Sequence, residues 1–438
     1  MHTSRRTLLT GLAVTAPLAL ASCASGDAGT SNSDAGTAED PIELILYNYN
    51  FGSAGIAGEG TQALLDRFAE AHPEITVVPV GMSSADSLSK TAADISAGSP
   101  PDVVQMGYSK ADQAISTLPC MPLQDIAGDE WEAHVEGINA GLIETGTRDG
   151  KTYAMPYTVS IPTLFYNADL FAEAGLDADA PPTTSEEIRA AAEAISANGH
   201  QGVYFAVADV SKSDYLTQSV LNSAGAGTVD EDGAIAFDTP EAVEAFAYLQ
   251  DLVTDSLMPG VSVDDAVASF SAGEMGMIIV TTAFSTSILA AAEGLFDLRS
   301  AGFPSINGGT PAPTHSGSGY MVFSEDPAKQ KAAWEFLKFC TDEAGYTMIT
   351  ELLGYLPLRE SVVDHPDYLQ GYFEEDTLLI PPTESLSNVE GYRTFPVEDT
   401  FQATTVFQTD GLEPIVLRGA DIESSLASVR EQIEGMPA

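Results

Sequence analysis

The chain is 438 residues long and 44% hydrophobic, enough for two domains that each bury a full core. Its 17 Lys and Arg stand against 64 Asp and Glu, a formal net charge of −47. Such a surface repels nucleic acid and anionic headgroups, which excludes partners read through their phosphate backbone, and it fits a salt-rich habitat.

At the N-terminus, Arg5 and Arg6, the apolar run Leu8 to Leu20 and the sequence Leu20-Ala21-Ser22-Cys23 read as a signal peptide over 1–22 that ends in a lipobox. The run is too short to cross a bilayer, and no later apolar run approaches the ~18 residues a span needs. Cleavage makes Cys23 the lipidated first residue and leaves 23–40, rich in Gly, Ser, Ala and Asp, as a flexible tether on the outer face of the cytoplasmic membrane. Ser4-Arg5-Arg6-Thr7-Leu8-Leu9 resembles a twin-arginine export signal, with the general lipoprotein route as the alternative.

Glu43 to Tyr49 then reads as a strand, and Thr61 to Ala71 as a helix with Leu64, Leu65 and Phe68 on one face. Ile75 to Val80 is the next strand, Ser83 to Gly98 a polar helix, and Val103 to Met106 a third strand. This alternation predicts an α/β lobe with a largely parallel sheet. In Gly150 to Ile188 the chain hands over to a second lobe. Pro156 and Pro162 favour edge or extended chain, Leu164-Phe165-Tyr166 is a short strand, Leu170 to Gly175 a short helix, and Thr184 to Glu187 a capping box. Val203 to Val207 and Met275 to Thr281 are strands, and Asp214 to Ala224 and Ser262 to Gly273 helices. A helix begun by Asp238-Thr239-Pro240 is expected to bury Val243, Phe246, Leu249 and Val253. Tyr320 to Phe323 is a last strand before a helix begun by Asp326-Pro327. Cys340 lies on that helix's apolar stripe, which predicts that Cys120 and Cys340 are buried thiols.

Motifs for catalysis are weak. Gly58-Glu59-Gly60-Thr61-Gln62-Ala63 has a dinucleotide-like form, but eight residues separate it from the strand, so it predicts only a loop at the mouth of a cleft. Ser316-Gly317-Ser318-Gly319 lacks the spacing of a nucleophile elbow despite His315 beside it, and its backbone donors suit hydroxyl or phosphate oxygens. The six histidines show no paired metal spacing, so neither metal nor cofactor is expected. A ligand cleft needs aromatic faces for C–H surface and polar groups for oxygens. At strand ends the candidates are Asn48, Asn50, Tyr108, Tyr157, Ser160, Asp209 and Ser285.

The segment from Tyr166-Asn167 through Leu170-Phe171 to Gly175, followed by Pro181-Pro182-Thr183-Thr184, resembles the extracellular solute-binding proteins of carbohydrate ABC transporters. The resemblance implies a type II periplasmic-binding-protein fold of two discontinuous α/β lobes around a cleft, with Tyr157 and Ser160 at the ligand. It implies lobe 1 from 41–160 plus 283–340 and lobe 2 from 161–282 plus 341–438. Val280 to Ser287, Gly354-Tyr355-Leu356-Pro357 and Glu390-Gly391-Tyr392-Arg393 further resemble the glycerol-3-phosphate and glycerophosphodiester branch. By that resemblance Ser160, Ser285, Gly317, Ser318, Tyr355 and Arg393 contact phosphate or hydroxyl oxygens. Val203 to Ala224 departs from the branch in holding no Trp. The implied function is a monomeric extracytoplasmic receptor that delivers a sugar, polyol or glycerophosphodiester to membrane-embedded permease subunits. An exported glycan or phosphodiester hydrolase is the alternative.

Overall fold

The computed structural model describes residues 36–52, 56–208, 214–230 and 232–437. The predicted signal segment, Cys23 and Asp209 lie outside the described residues. The first sheet is built from β1 (Ile42–Asn48), β2 (Ile75–Gly81), β3 (Val103–Gly107), β6 (Met155–Ser160) and β11 (Ser316–Val322). Two short strands, β4 (Thr147–Arg148) and β5 (Lys151–Thr152), form a separate hairpin. The second sheet holds β7 (Pro162–Asn167), β8 (Gln201–Phe205), β9 (Met275–Thr281) and β10 (Leu298–Ala301).

The orders are β2-β1-β3-β11-β6 and β10-β7-β9-β8. β1 runs parallel to β2 and β3, as the alternating strands and helices predict, whereas β11 is antiparallel to both its neighbours. Period-two alternation is visible in the packing. Val103 and Val322 enter one cluster with Leu46, while Val104 and Met321 enter another with Tyr47, on opposite faces of the sheet. β9 is buried along its whole length because helices cover both sides of its sheet. Pro156 lies in the edge strand β6, and Pro162 is the first residue of β7, the position in an inner strand that needs no donor. Asn167 caps the helix Ala168–Glu173 by accepting from Asp169 and Leu170 N–H, and Thr184 caps Ser185–Ala197 by accepting from Glu187 N–H at 3.1 Å.

Four expectations are corrected. Gly58 and Gly60 lie in the helix Ile56–Ala71, not in a loop. A Cβ on Gly60 would stand 2.3 Å from the Leu352 carbonyl, so this glycine lets the helix approach Glu343–Leu353 closely. The helix Pro240–Thr254 buries Ala242, Ala245, Phe246, Leu249 and Leu252, with Val243 and Val253 only partly covered. Cys340 is a fully buried thiol, but Cys120 is only partly buried. The chain also crosses between the cores at different points from those expected. Ile288, Ala301, Phe303 and Ile306 pack in the second core, because β10 pairs with β7. Tyr346, Ile349, Leu358 and Phe373 pack in the first, because Glu343–Leu353 docks on Ile56–Ala71; the second core resumes at Leu378 and Phe395.

Candidate ligand-binding cleft

β6 ends at Ser160 and β7 begins at Pro162, so one residue, Ile161, carries the chain from the first sheet to the second. Its N–H donates to Thr282 Oγ1 at 3.3 Å and its carbonyl accepts from Thr282 N–H at 3.0 Å, which ties the crossing to the residue that follows β9. A cavity of about 310 Å³ opens beside this pair, lined from both cores. Tyr49, Ser84, Lys110, Ser160, Gly317 and Tyr355 come from the first lobe. Asp214, Tyr215, Thr281, Phe284 and Phe401 come from the second. Aromatic faces suit the C–H surface of a hydroxylated ligand and the hydroxyls suit its oxygens.

The floor depends on a glycine. Gly317 has φ +127°, and a Cβ there would stand 2.0 Å from the Thr158 carbonyl, so only glycine lets β11 lie this close to β6. Beneath it, Ser318 Oγ accepts from Gln105 Nε2 at 2.9 Å and shares a 2.7 Å hydrogen bond with Thr158 Oγ1. Burial raises the Tyr49 pKa, and hydrogen bonding to Ser318, Thr158 and Gln105 opposes the rise. Tyr355 follows Gly354, whose φ of +74° closes the helix Glu343–Leu353. Burial raises the Tyr355 pKa too, opposed by a hydrogen bond with Asn50. Both tyrosines therefore line the cleft as neutral phenols.

Two charged groups face each other across the seam. Lys110 is only 8% exposed; its Nζ donates to the Ser84 carbonyl at 3.1 Å and lies 5.0 Å from the centre of the Phe401 ring. Burial lowers its pKa, and the Asp214 and Asp86 charges act against that. Asp214, the first residue of the helix Asp214–Ser223, accepts from the Tyr392 hydroxyl at 2.7 Å. Burial raises its pKa, opposed by Tyr392, the Tyr215 N–H and Lys110. Among the described residues the two form no direct ion pair, so each keeps polar capacity toward the cavity.

Of the predicted residues, the structure brings Ser160, Gly317 and Tyr355 to this cavity. Ser318 lies under the floor. Asn48 is fully buried and ends β1: its Oδ1 accepts from the N–H groups of Asn50 and Phe51 at 2.9 and 2.7 Å, and its Nδ2 donates to Tyr320. Asn50 is buried behind Tyr355. Tyr157 packs on Tyr320, with ring centroids 4.1 Å apart, and Tyr108 meets the His315 ring at 4.9 Å; both are core side chains. Ser285 is buried at the start of the helix Ser285–Ala292. Arg393 lines a different cavity, of about 350 Å³, together with Asp230, Glu241 and Glu390. Its backbone is fixed by a reciprocal pair of hydrogen bonds with the Gln218 side chain at 3.0 and 2.8 Å. His315 Nε2 bonds to Thr145 Oγ1 at 3.0 Å rather than to a serine of the Ser316 to Ser318 run. Among the described residues no group of His, Cys, Asp and Glu is arranged to hold a metal, and no helix is long and apolar enough to cross a membrane.

Sequence reasoning missed Lys110, Asp214 and Phe401. A signal existed for Lys110, three residues past the end of β3, at the same strand end that pointed to Tyr108. Asp214 had none, being one acid among 64.

The family model for bacterial extracellular solute-binding proteins matches residues 52–347. The chain belongs to this family. As a solute-binding protein it is 24% identical over 400 residues to the sn-glycerol-3-phosphate-binding periplasmic protein of Agrobacterium fabrum, covering 83% of this chain and 89% of that one. It spans 66% of the length of the Brucella binding proteins that it also matches. The cyclic alpha-maltosyl-1,6-maltose binding protein from Arthrobacter globiformis shares the fold, with a TM-score of 0.76, 24% identity and coverage of 90% of this chain and 98% of that one. UgpB from Mycobacterium tuberculosis, solved with glycerophosphocholine, shares it with a TM-score of 0.78, 20% identity and coverage of 90% and 97%. The two-lobe type II architecture is thus that of sugar- and glycerophosphodiester-binding proteins.

Proposed function

We propose that this chain is the receptor of an ABC importer, which takes a sugar, polyol or glycerophosphodiester into the cleft and delivers it to the permease without making or breaking a bond. The observation that carries this reading is the cavity of about 310 Å³ whose aromatic, hydroxyl and charged lining is drawn from both lobes beside the crossing at Ile161. A ligand touching both sides favours the closed arrangement by its differential affinity for it. Ser160, Gly317, Tyr355, Lys110, Asp214 and Phe401 are the proposed contacts. The relatives and structural neighbours named above, which bind glycerol-3-phosphate, a cyclic maltosyl-maltose and glycerophosphocholine, support the ligand class. The lipobox supports an anchor at Cys23 that keeps the receptor at the outer face of the membrane.

A thermal-shift panel of sugars, polyols and glycerol phosphates on the mature chain tests the reading. A ligand at ~100 times its dissociation constant adds roughly 2.7 kcal/mol of stability. Stoichiometric binding with the ligand recovered unchanged is the expected outcome. Turnover of a glycan or phosphodiester would refute it in favour of a hydrolase.

A further inference from the structure

Within the cavity's described lining, Lys110 and Asp214 are the charged side chains, one from each lobe, and their formal charges cancel. Lys110 is an ammonium with three donors, and its partners among the described residues are one carbonyl and one ring face. A buried cation so sparsely served needs acceptor atoms, and a ligand in the cavity is where they can come from. Asp214 presents the complementary need. Tyr392 donates one hydrogen bond to it, the N-terminal end of its helix favours the carboxylate, and its remaining acceptor sites suit ligand hydroxyls.

We infer that Lys110 and Asp214 act together as a charge filter that selects ligands of zero net charge. This rests on the reading of the cleft as the ligand site. A neutral sugar or polyol meets both groups with hydroxyls, donating to Asp214 and accepting from Lys110. A zwitterionic phosphodiester meets both as well, phosphate to Lys110 and cationic head to Asp214. A dianion such as glycerol-3-phosphate gains at Lys110 but is opposed at Asp214 across the same small cavity. The arginine that a phosphate-reading site would use, Arg393, faces Asp230, Glu241 and Glu390 in the other cavity. The pair thus separates this receptor from a relative that takes glycerol-3-phosphate, although the fold is shared.

The test is calorimetric titration of the mature chain, and of Asp214→Asn and Lys110→Gln variants whose folding is verified by circular dichroism and melting temperature. The probes are maltose and trehalose (neutral), glycerophosphocholine (zwitterion) and glycerol-3-phosphate (dianion). The expected result is at least tenfold tighter binding of a neutral or zwitterionic probe than of glycerol-3-phosphate. Asp214→Asn should narrow that ratio at least tenfold, and Lys110→Gln should weaken the phosphate-bearing probes more than the neutral ones. Preference of the unaltered protein for glycerol-3-phosphate overturns the filter, as does a ratio that stays within twofold in both folded variants. Failure of every probe to bind the folded protein overturns the cleft reading itself, and the filter with it.

Discussion

His315 offers a direct test of how burial sets stability. The ring is 1% exposed, its Nε2 bonds to Thr145, its edge packs on Tyr108, and its buried Nδ1 has no hydrogen-bond partner among the described residues. Burial pushes its pKa down from 6.5 to about 4. An unfolded chain therefore takes up a proton near pH 6.5 that the folded chain refuses until about pH 4. The stabilisation from a neutral His315 is fully present above pH 6.5 and is lost as pH falls through that window. Between pH 7 and pH 4.5 the loss is roughly 2.5 kcal/mol, a large share of the ~5–15 kcal/mol that holds a typical domain folded. The assay is urea unfolding followed by tryptophan fluorescence. It reports the lobe that holds His315, since Trp131 and Trp334 pack in the first core, with centroids 6.2 Å apart. His315→Gln should remove that part of the pH dependence while changing stability at pH 7 by its own fixed amount. His134, also pushed to about 4 by burial, is present in both proteins and cancels in the difference. Parallel pH profiles for the two proteins would refute the reasoning.

Three other outcomes are expected. Gly317→Ala, which sets a Cβ against the Thr158 carbonyl, should cost about 1–3 kcal/mol and lower the melting temperature; an unchanged melting curve would show that β11 can shift freely. Arg359, 5% exposed, donates to the carbonyls of Thr341, Glu136 and His134, so Arg359→Lys should cost about 1.5–3 kcal/mol for each charge-assisted bond it fails to replace, read from the urea midpoint. With a net charge of −47, stability should rise with added salt as self-repulsion is screened over the ~10 Å Debye length at 0.1 M; a melting temperature independent of salt would remove the argument for a saline habitat.

The strands were legible because they depend on local apolar pattern: Glu43 to Tyr49 was expected and Ile42–Asn48 is found, and Met275 to Thr281 is found without change. The lobe boundaries were not, since periodicity says that a helix buries a face but not against which core. Glu343–Leu353 could have closed either lobe until its contact with Ile56–Ala71 was seen. The π-helical run Phe407–Leu417, with Pro414 inside it, has no local signature, and its neighbourhood is braced by Gln250, whose Nε2 donates to the carbonyls of Ile415 and Ala420. The site divides in the same way. Gly317 and Tyr355 sit in short motifs and were found, whereas Lys110, Asp214 and Phe401 gain meaning only when three distant segments meet. Tyr108 was chosen at the strand end where Lys110 does the lining, because a strand-end rule does not say which way a side chain turns.

The place of β11 in its sheet governs the order of assembly. It fills the gap between β3 and β6, although Ser318 is 213 residues from Gln105 and 160 from Thr158 in the chain. A nascent chain leaving the ribosome N-terminus first therefore holds an open edge on β3, and in β6 a strand whose sheet partner is still missing, until Val322 has been made. Such distant pairing is slow to find, and open edges invite the wrong neighbour. The first lobe thus stays unlocked through most of synthesis, and its floor glycine, Gly317, arrives on the strand that closes the sheet.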